Sequence, residues 1–242
     1  MRTEIVAPDG AGPWPGVILC FDAGGPRPAM TAIAERISRS GYLVAIPDLY
    51  HRVGRIVDLL PEGVPKDEPA RIIPMLADSA IMKQFMTTFY ASATDYDHIQ
   101  TDLGAVLDHF DQRPDVQGGV GTTGYCMGGN ISVRAATIFG DRIAATAAFH
   151  AGGIAVPQPD SPHLRVRAIR SRVYVAGAIE DRWFTDDMKQ QLETALTEAG
   201  VDHTVETYPA RHGFAVSDNP TYDAESAERH FQALVRLYTI LA

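Results

Sequence analysis

Residues 119–139 read GVGTTGYCMGGNISVRAATIF and predict a strand, a sharp turn and a helix. Gly124, Cys126 and Gly128 alternate through the turn, and Gly129 follows them. Glycines are required where a strand, a helix and neighbouring backbone come so close that no side chain fits. Such a turn pushes the cysteine side chain out above the carboxyl edge of the sheet, where ligands bind in open α/β folds. The stretch therefore predicts an α/β fold with a chemically accessible cysteine.

Six short apolar runs alternate with segments of helical period along the rest of the chain. Continuous apolarity, rather than alternation, is typical of parallel strands that are covered on both faces. Gly41 and Gly200 stand where helix C-terminal caps are expected. The pattern predicts a mostly parallel central sheet with helices on both faces, in a single domain over residues 1–242. The six runs are residues 16–21, 42–50, 118–124, 143–150, 172–178 and 203–208.

One segment breaks this alternation. Residues 51–96 separate two predicted strands by far more chain than one helix needs, and such insertions often act as lids or pocket walls. Phe85, Phe89 and Tyr90 belong to an apolar face with helical spacing inside this segment. The spacing fits a core face as well as a substrate-binding wall, and we carry these three residues as substrate-binding candidates.

The composition excludes several classes of function. The chain has 242 residues, a formal net charge of −9 and 45% apolar residues, an ordinary globular mixture. An acidic chain without a Lys/Arg cluster has no field that attracts phosphate backbones, so nucleic-acid binding is not expected. No window approaches the roughly 18 apolar residues of a membrane span. The N-terminus lacks a signal-peptide core, so we expect a cytoplasmic protein without membrane association.

The cysteine and histidine content argues against structural metals and disulfides. Two cysteines are too few for a disulfide framework, and Cys20 lies in an apolar run that predicts a buried hydrophobic side chain. The eight histidines lack metal-site spacing, so neither a metal nor an organic cofactor is expected. The sequence carries no signal for an oligomeric state.

Cys126 has the partners that a nucleophile needs further along the chain. The form G-x-nucleophile-x-G is that of α/β-hydrolases, in which the nucleophile is followed by an acid and then a histidine. Asp181 and His212 each follow a predicted strand and appear in this order. Glu180 is a rival acid. His150, at the end of another strand, is a rival histidine that we expect to line the pocket or to form a hydrogen bond with the backbone. The arrangement predicts a nucleophile, a base and an orienting acid.

With these residues in place, the chain resembles the dienelactone hydrolase family of α/β-hydrolases over nearly its whole length. The resemblance implies a Cys-His-Asp triad of Cys126, His212 and Asp181, which hydrolyses a small-molecule ester or lactone through a thioester acyl-enzyme. It rests on GVILCFDAGG (16–25), GYLVAIPDLYHR (41–52), GYCMGG (124–129), AGAIED (176–181) and RHGFAV (211–216).

The resemblance also assigns roles around the triad. The family places an acidic residue, usually Glu, after the first core strand to hold the resting thiol, and this chain has Asp22 there. A loop acceptor for backbone N–H groups is the alternative role. Val216 stands where the family has a substrate-binding arginine. Arg52, Arg71 and Arg211 remain candidates to hold a substrate carboxylate, although each is also consistent with a solvated surface charge.

Two backbone N–H groups are expected to stabilise the oxyanion. One belongs to Met127, and the other to Ala23 or Gly24. Two other functions stay open from the sequence. One is a thioesterase or other acyl hydrolase on the same triad, because acyl transfer uses the same parts. The other is a non-catalytic ligand-binding or redox-sensing relative, because fold does not imply function.

Overall fold

The computed structural model describes residues 1–242 and contains one sheet of seven strands. The strands are β1 Thr3–Val6, β2 Trp14–Cys20, β3 Leu43–Pro47, β4 Val116–Tyr125, β5 Ala145–Phe149, β6 Arg172–Ala178 and β7 His203–Tyr208. Their order in the sheet is β1-β3-β2-β4-β5-β6-β7. β1 pairs antiparallel with β3, and all other neighbours are parallel.

Eight α-helices accompany the strands. They are α1 Pro28–Ser38, α2 Ile72–Met75, α3 Ser79–Gln84, α4 Ala91–Ala93, α5 Tyr96–Asp111, α6 Met127–Phe139, α7 Asp186–Ala199 and α8 Ala224–Tyr238. A π-helix spans Phe85–Tyr90, and short 3-10 helices span Ile56–Leu59, Pro69–Arg71, Gly140–Arg142, Pro162–Ala168 and Thr239–Leu241. No helix is long and apolar enough to cross a membrane.

Burial confirms the predicted fold class. Every residue of β3 and β5 is buried, so helices must cover both faces of the sheet. On one side α1 contacts α8, where the Arg36 guanidinium lies 3.7 Å from the centre of the Phe231 ring. α5 and α6 contact each other in a second helical layer. Gly200 ends α7 in the left-handed conformation, with φ of 69°, as its expected capping role requires.

Two details of the sheet differ from the sequence expectation. β1 is an additional strand, which was not predicted because it is only four residues long and lies half-exposed at the sheet edge. The predicted strand over residues 42–50 ends at Pro47. The Asp48 side chain accepts a hydrogen bond from the Tyr50 N–H at 3.1 Å, which favours a turn over a further strand residue.

Residues 51–96 form the connection between β3 and α5 and contain no strand. The π-helix carries two buried rings, Phe85 and Phe89, which attach this segment to the rest of the molecule. The Phe89 ring packs edge-on against Tyr50 with ring centroids 4.9 Å apart. The segment is therefore held over the carboxyl edge of the sheet by aromatic packing.

The turn between β4 and α6 is closed by backbone contacts that only glycine permits. A Cβ atom added to Gly124 would lie 1.9 Å from the carbonyl oxygen of Gly128. One added to Gly128 would lie 2.1 Å from the carbonyl oxygen of Cys20, the last residue of β2. Since both neighbours are backbone atoms, neither can move aside as a flexible side chain would. The contact fixes the start of α6 against the ends of β2 and β4.

Gly128→Ala should lower the free energy of unfolding by about 3 kcal/mol or more, because the added methyl group overlaps this backbone. Gly104→Ala is the matched control. Gly104 lies inside α5, and its added Cβ would meet only the Phe139 ring at 3.5 Å, an ordinary contact. We expect the control to gain up to about 1 kcal/mol. Urea denaturation compares the two variants, and equal changes would contradict the constraint on the turn.

Candidate active site

Cys126 stands at the apex of the turn with a backbone conformation that is rare for a residue with a side chain. Its φ is 55° and its ψ is −117°. The Cys126 N–H donates to the Phe149 carbonyl oxygen at 3.0 Å, and the glycine contacts on either side hold the turn in place. Such conformations persist only where the surroundings enforce them, and they concentrate at functional sites. The partly buried, unpaired thiol lines a cavity above the carboxyl edge of the sheet.

His212 and Asp181 meet beside this cysteine. The His212 ring nitrogen Nδ1 lies 2.8 Å from Asp181 Oδ2, and the Asp181 side chain is fully buried. The other carboxylate oxygen of Asp181 accepts from the Trp183 N–H at 2.9 Å. Both oxygens are therefore occupied, which fixes the carboxylate and the ring that it holds. Glu180, the rival acid, is exposed and forms no hydrogen bond or ion pair with His212.

The surroundings of His212 favour its protonated form. Burial of the ring works against the charge, but the neighbouring Cys126 sulfur and the Asp181 carboxylate outweigh burial and raise the pKa of His212 to about 10. The sulfur and the ring are neighbours without a well-aligned hydrogen bond between them. Catalytic hydrogen bonds often tighten only when substrate is bound. The charges are thus placed so that a proton on His212 is stabilised from both sides.

His150 lies against His212 and is not among the residues that line the cavity. It is fully buried, and its ring is edge-on to the His212 ring with centroids 5.1 Å apart. Neither ring nitrogen has a hydrogen-bond partner. Burial lowers the pKa of His150 well below its usual value, and the neighbouring His212 lowers it further. The ring is therefore neutral and packs as a wall behind His212.

Two backbone N–H groups near Cys126 have no acceptor within the protein. The Met127 N–H opens α6, where the first turn of a helix leaves donors unpaired. The Ala23 N–H, in the loop after β2, is also unpaired. Gly24, the alternative donor from the sequence, instead gives its N–H to Asp22 Oδ1 at 2.9 Å. Met127 and Ala23 thus offer free donors at the cavity wall, which both residues line.

An ion cluster around the buried Arg27 side chain ties two loops of the site together. Asp22 accepts two hydrogen bonds from the Arg27 guanidinium, at 2.6 and 2.9 Å. The same guanidinium donates to both oxygens of Asp218, each at 2.8 Å. The Arg27 side chain is 1% exposed. Both oxygens of Asp22 are therefore engaged with Arg27, and the loop after β2 is joined to the loop that follows His212.

The cavity has a volume of ≈ 890 Å³, within the range of small-molecule sites. Cys126 and His212 line it together with Trp183 and Thr221. The loop after β5 adds Gln158 and Asp160, among other residues. The wall from the segment 51–96 is largely apolar and consists of Ile73, Pro74, Leu76, Ala77, Met82, Phe85, Met86, Tyr90, Ala91, Thr94 and Asp95.

The substrate-binding candidates from this segment divide between cavity and core. Phe85 and Tyr90 line the cavity, whereas Phe89 packs in the core against Tyr50. Consecutive helix positions face different directions, so Phe89 and Tyr90 cannot both point into the same space. Val216, which stands where the family has a substrate-binding arginine, is fully buried and does not line the cavity.

The arginine candidates lie elsewhere. Arg52 does not line the cavity; its guanidinium forms an ion pair with Asp102. Arg71 is also absent from the lining. Arg211 lines a shallow depression beside His212 at the protein surface. Two other arginines line the large cavity, and neither is among the sequence candidates. Arg182 lies over the Trp183 ring, whereas Arg134, on α6, is almost fully buried.

The chain is similar over nearly its whole length to known proteins of one family. The family model described as the dienelactone hydrolase family matches residues 1–240. A protein of Synechocystis sp. assigned as a carboxymethylenebutenolidase is 27% identical over 241 residues, which cover 97% of this chain and 89% of that protein. The carboxymethylenebutenolidase of Pseudomonas sp. is 23% identical over 213 residues, which cover 88% of this chain and 79% of that enzyme.

Among solved structures, one assigned as a dienelactone hydrolase from Klebsiella pneumoniae superimposes with a TM-score of 0.77. It shares 21% sequence identity and covers 98% of this chain and 92% of its own, which shows that the two have the same fold. The family model spans nearly all of the sequence. The chain therefore belongs to the dienelactone hydrolase family and is a hydrolase.

Proposed function

We propose that the protein hydrolyses carboxylic esters or lactones through a thioester on Cys126, with His212 as the proton carrier and Asp181 as its orienting acid. The observation that carries this proposal is the position of the His212 ring, between the Asp181 carboxylate and the Cys126 sulfur. The free N–H groups of Met127 and Ala23 beside the sulfur add a site for a developing oxyanion.

The first half of the reaction forms the acyl-enzyme. The proton of the Cys126 thiol passes to the ring nitrogen of His212 that does not face Asp181. The sulfur then attacks the carbonyl carbon of the substrate, and its oxygen takes the negative charge between the two N–H groups. When the tetrahedral intermediate collapses, the carbon–oxygen bond to the alcohol breaks. His212 gives its proton to the departing alkoxide.

The second half releases the acid. A water molecule gives a proton to His212 and attacks the thioester carbon, and the oxyanion forms again at the same N–H groups. Collapse of the tetrahedral intermediate breaks the carbon–sulfur bond and frees the carboxylic acid. Cys126 is then a thiolate and His212 carries a proton, as they were before the sulfur attacked the substrate. Each oxyanion donor is expected to contribute about 3 kcal/mol of transition-state stabilisation, the loss typical when one such donor is removed.

The shape of the cavity supports a small-molecule substrate with an apolar portion. Met82, Phe85 and Met86 provide an apolar wall opposite the reactive groups. Burial of apolar substrate surface against such a wall contributes about 25 cal/mol per Å². An acyl or alcohol portion with several carbon atoms fits this wall better than a small polar one.

The sequence predicts that Asp22 holds the resting thiol, but in the structure its carboxylate accepts hydrogen bonds from Arg27. The Asp22 carboxylate already accepts two buried hydrogen bonds from Arg27 and one from the Gly24 N–H, and it has no hydrogen bond to Cys126. In the resting enzyme we assign the sulfur to His212 instead. Arg27 and Asp22 then serve to hold the loop that carries the Ala23 N–H.

Cys126→Ala is expected to lower kcat/KM on p-nitrophenyl esters and simple lactones by a factor on the order of 10³ or more. Cys20→Ala is the matched control, because Cys20 is fully buried in β2, and we expect its activity to stay close to wild type. Steady-state kinetics on both variants provide the measurement. Retained turnover in Cys126→Ala would exclude the sulfur as the nucleophile. A silent wild type whose Cys126 still alkylates rapidly would favour redox sensing.

The dependence of activity on pH should differ between two classes of ester. Because the pKa of His212 is raised to about 10, the ring keeps its proton at neutral pH and loses it above pH 10. Ethyl esters need that proton on the leaving alkoxide, so their kcat/KM should fall as the pH rises through about 10. p-Nitrophenolate leaves without a proton, so kcat/KM for its esters should fall less over the same pH range.

Asp181→Asn tests whether the raised pKa of His212 sets the pH at which kcat/KM for ethyl esters falls. It removes one of the two neighbours that raise the pKa of His212, so the fall for ethyl esters should begin at lower pH. Identical pH profiles for both classes of ester in the wild type would show that His212 does not protonate the leaving group.

Arg27→Met should lower the free energy of unfolding by about 3 kcal/mol, because it leaves the buried Asp22 carboxylate without its cation. It should also lower kcat more than it changes KM, since the loop with the Ala23 N–H loses its anchor. Arg36→Met is the control, because the ion pair of Arg36 with Glu228 is exposed and should contribute less than about 1 kcal/mol. Urea denaturation and steady-state kinetics check both variants, and equal effects would contradict the anchoring role.

A further inference from the structure

The cavity contains a buried arginine with an unused donor group. Arg134, on α6, lines the cavity, and its side chain is 6% exposed. Its Nε donates to Asn130 Oδ1 at 2.7 Å, and its Nη2 donates to Asp160 Oδ2 at 3.2 Å. Its Nη1 is buried and has no partner. A buried N–H group without an acceptor is costly, so the site is complete only when another group accepts from Nη1.

The helix directs this arginine toward the reactive cysteine. Asn130 and Arg134 are spaced by four on α6, and Cys126 stands at the turn that opens the helix. The turn and the seven residues of helix after it separate the Cα atoms of Cys126 and Arg134 by about 12 Å. Long side chains in helices lean back toward the N-terminus, which brings the guanidinium closer to Cys126. A single substrate can therefore contact both residues.

Neighbouring contacts hold the guanidinium in one orientation. Asn130 is fully buried and donates to the carbonyl oxygens of Gly152 and Gly153, at 3.2 and 2.8 Å, while it accepts from Arg134. The Arg134 guanidinium also lies over the Tyr96 ring, 4.4 Å from its centre. With two nitrogens and one face of the group engaged, Nη1 is the nitrogen that is left without an acceptor.

The charges around Arg134 favour an uncharged acceptor. Asp95 and Asp160 line the same cavity, and a second guanidinium, that of Arg165, lies 3.9 Å from the centre of the Tyr96 ring. Around the Tyr96 ring, two carboxylates and two guanidinium groups balance each other. Arg182, the other arginine of the cavity lining, lies over the Trp183 ring, in the depression that His212 also lines. A substrate carboxylate would add a third negative charge near Asp95 and Asp160. A carbonyl oxygen would satisfy Nη1 without the desolvation of a further charge.

We propose that Arg134 forms an acceptor subsite, in which Nη1 donates to a neutral carbonyl oxygen of the substrate that is remote from the bond attacked by Cys126. The inference rests on the proposed ester or lactone hydrolysis and narrows its substrate class. The preferred substrate carries an apolar chain and a second, uncharged carbonyl group. The apolar part lies against the wall of the segment 51–96, and the second carbonyl reaches α6.

A matched series of esters tests this subsite. We would measure kcat/KM for p-nitrophenyl hexanoate, octanoate and decanoate, each beside an analogue with a keto group next to the terminal methyl and one that ends in a carboxylate. At the best chain length the keto ester should exceed the plain ester by about tenfold, the effect of one hydrogen bond from a charged donor. The carboxylate analogue should show no such gain.

Variants assign the gain to the guanidinium. In Arg134→Met the ratio of keto to plain ester should fall to about one, and Arg134→Lys should restore only part of it, because a single ammonium cannot replace the planar fork. Arg165→Met is the matched control on the same tyrosine and should keep the full ratio. The plain ester normalises each comparison, so a variant with reduced folded fraction still gives a valid ratio.

Three outcomes would overturn the subsite: no keto preference in the wild type, a preference that survives in Arg134→Met, or a gain for the carboxylate analogue in place of the ketone. Binding of the same esters to Cys126→Ala, measured by calorimetry, separates this proposal from the proposed function. If the wild type hydrolyses none of the esters but Cys126→Ala still prefers the keto ester, the hydrolysis proposal fails and the subsite stands. Equal binding of keto and plain esters would contradict the subsite and would leave the hydrolysis proposal unaffected.

Discussion

The backbone contact between Gly128 and Cys20 is the constraint on which the site depends. It places the first turn of α6 directly against the end of β2. Met127 precedes Gly128 in the chain, and Ala23 lies three residues after Cys20. The same contact therefore sets the positions of both unpaired N–H groups, and it does so with backbone atoms alone. Stabilisation of an oxyanion needs donors that do not reorganise during the reaction, which rigid backbone provides.

Arg27 completes this arrangement from the other side. Its guanidinium is shared between Asp22, in the loop after β2, and Asp218, which is 191 residues away along the chain. Two anions surround one cation, and the buried pair of Arg27 and Asp22 is stable only while both partners are present. The loop with the Ala23 N–H and the loop after His212 consequently keep a fixed separation, although no strand or helix joins them.

The sequence predicts the fold and the residues around Cys126 because these depend on local patterns. Apolar runs give the buried strands, and the order of cysteine, aspartate and histidine follows the strand ends at which Cys126, Asp181 and His212 meet. Contacts between distant segments leave no such pattern. The pairing of Arg27 with Asp218, and the presence of Arg134 in the cavity, follow only from the way the loops and α6 pack. The edge strand β1 was missed for a related reason, since a short, half-exposed strand has no continuous apolar run.

The histidine pair shows how the fold confines positive charge to one ring. His150 and His212 are edge-on neighbours, yet burial and the adjacent ring lower the pKa of His150, whereas Cys126 and Asp181 raise that of His212. If both rings were protonated, two positive charges would face each other in a space closed to solvent. A neutral His150 removes this competition and leaves the proton on the ring that faces the sulfur. The burial of His150 without hydrogen-bond partners thus has a consequence for the proposed chemistry, because it leaves His212 as the ring on which a proton is favoured.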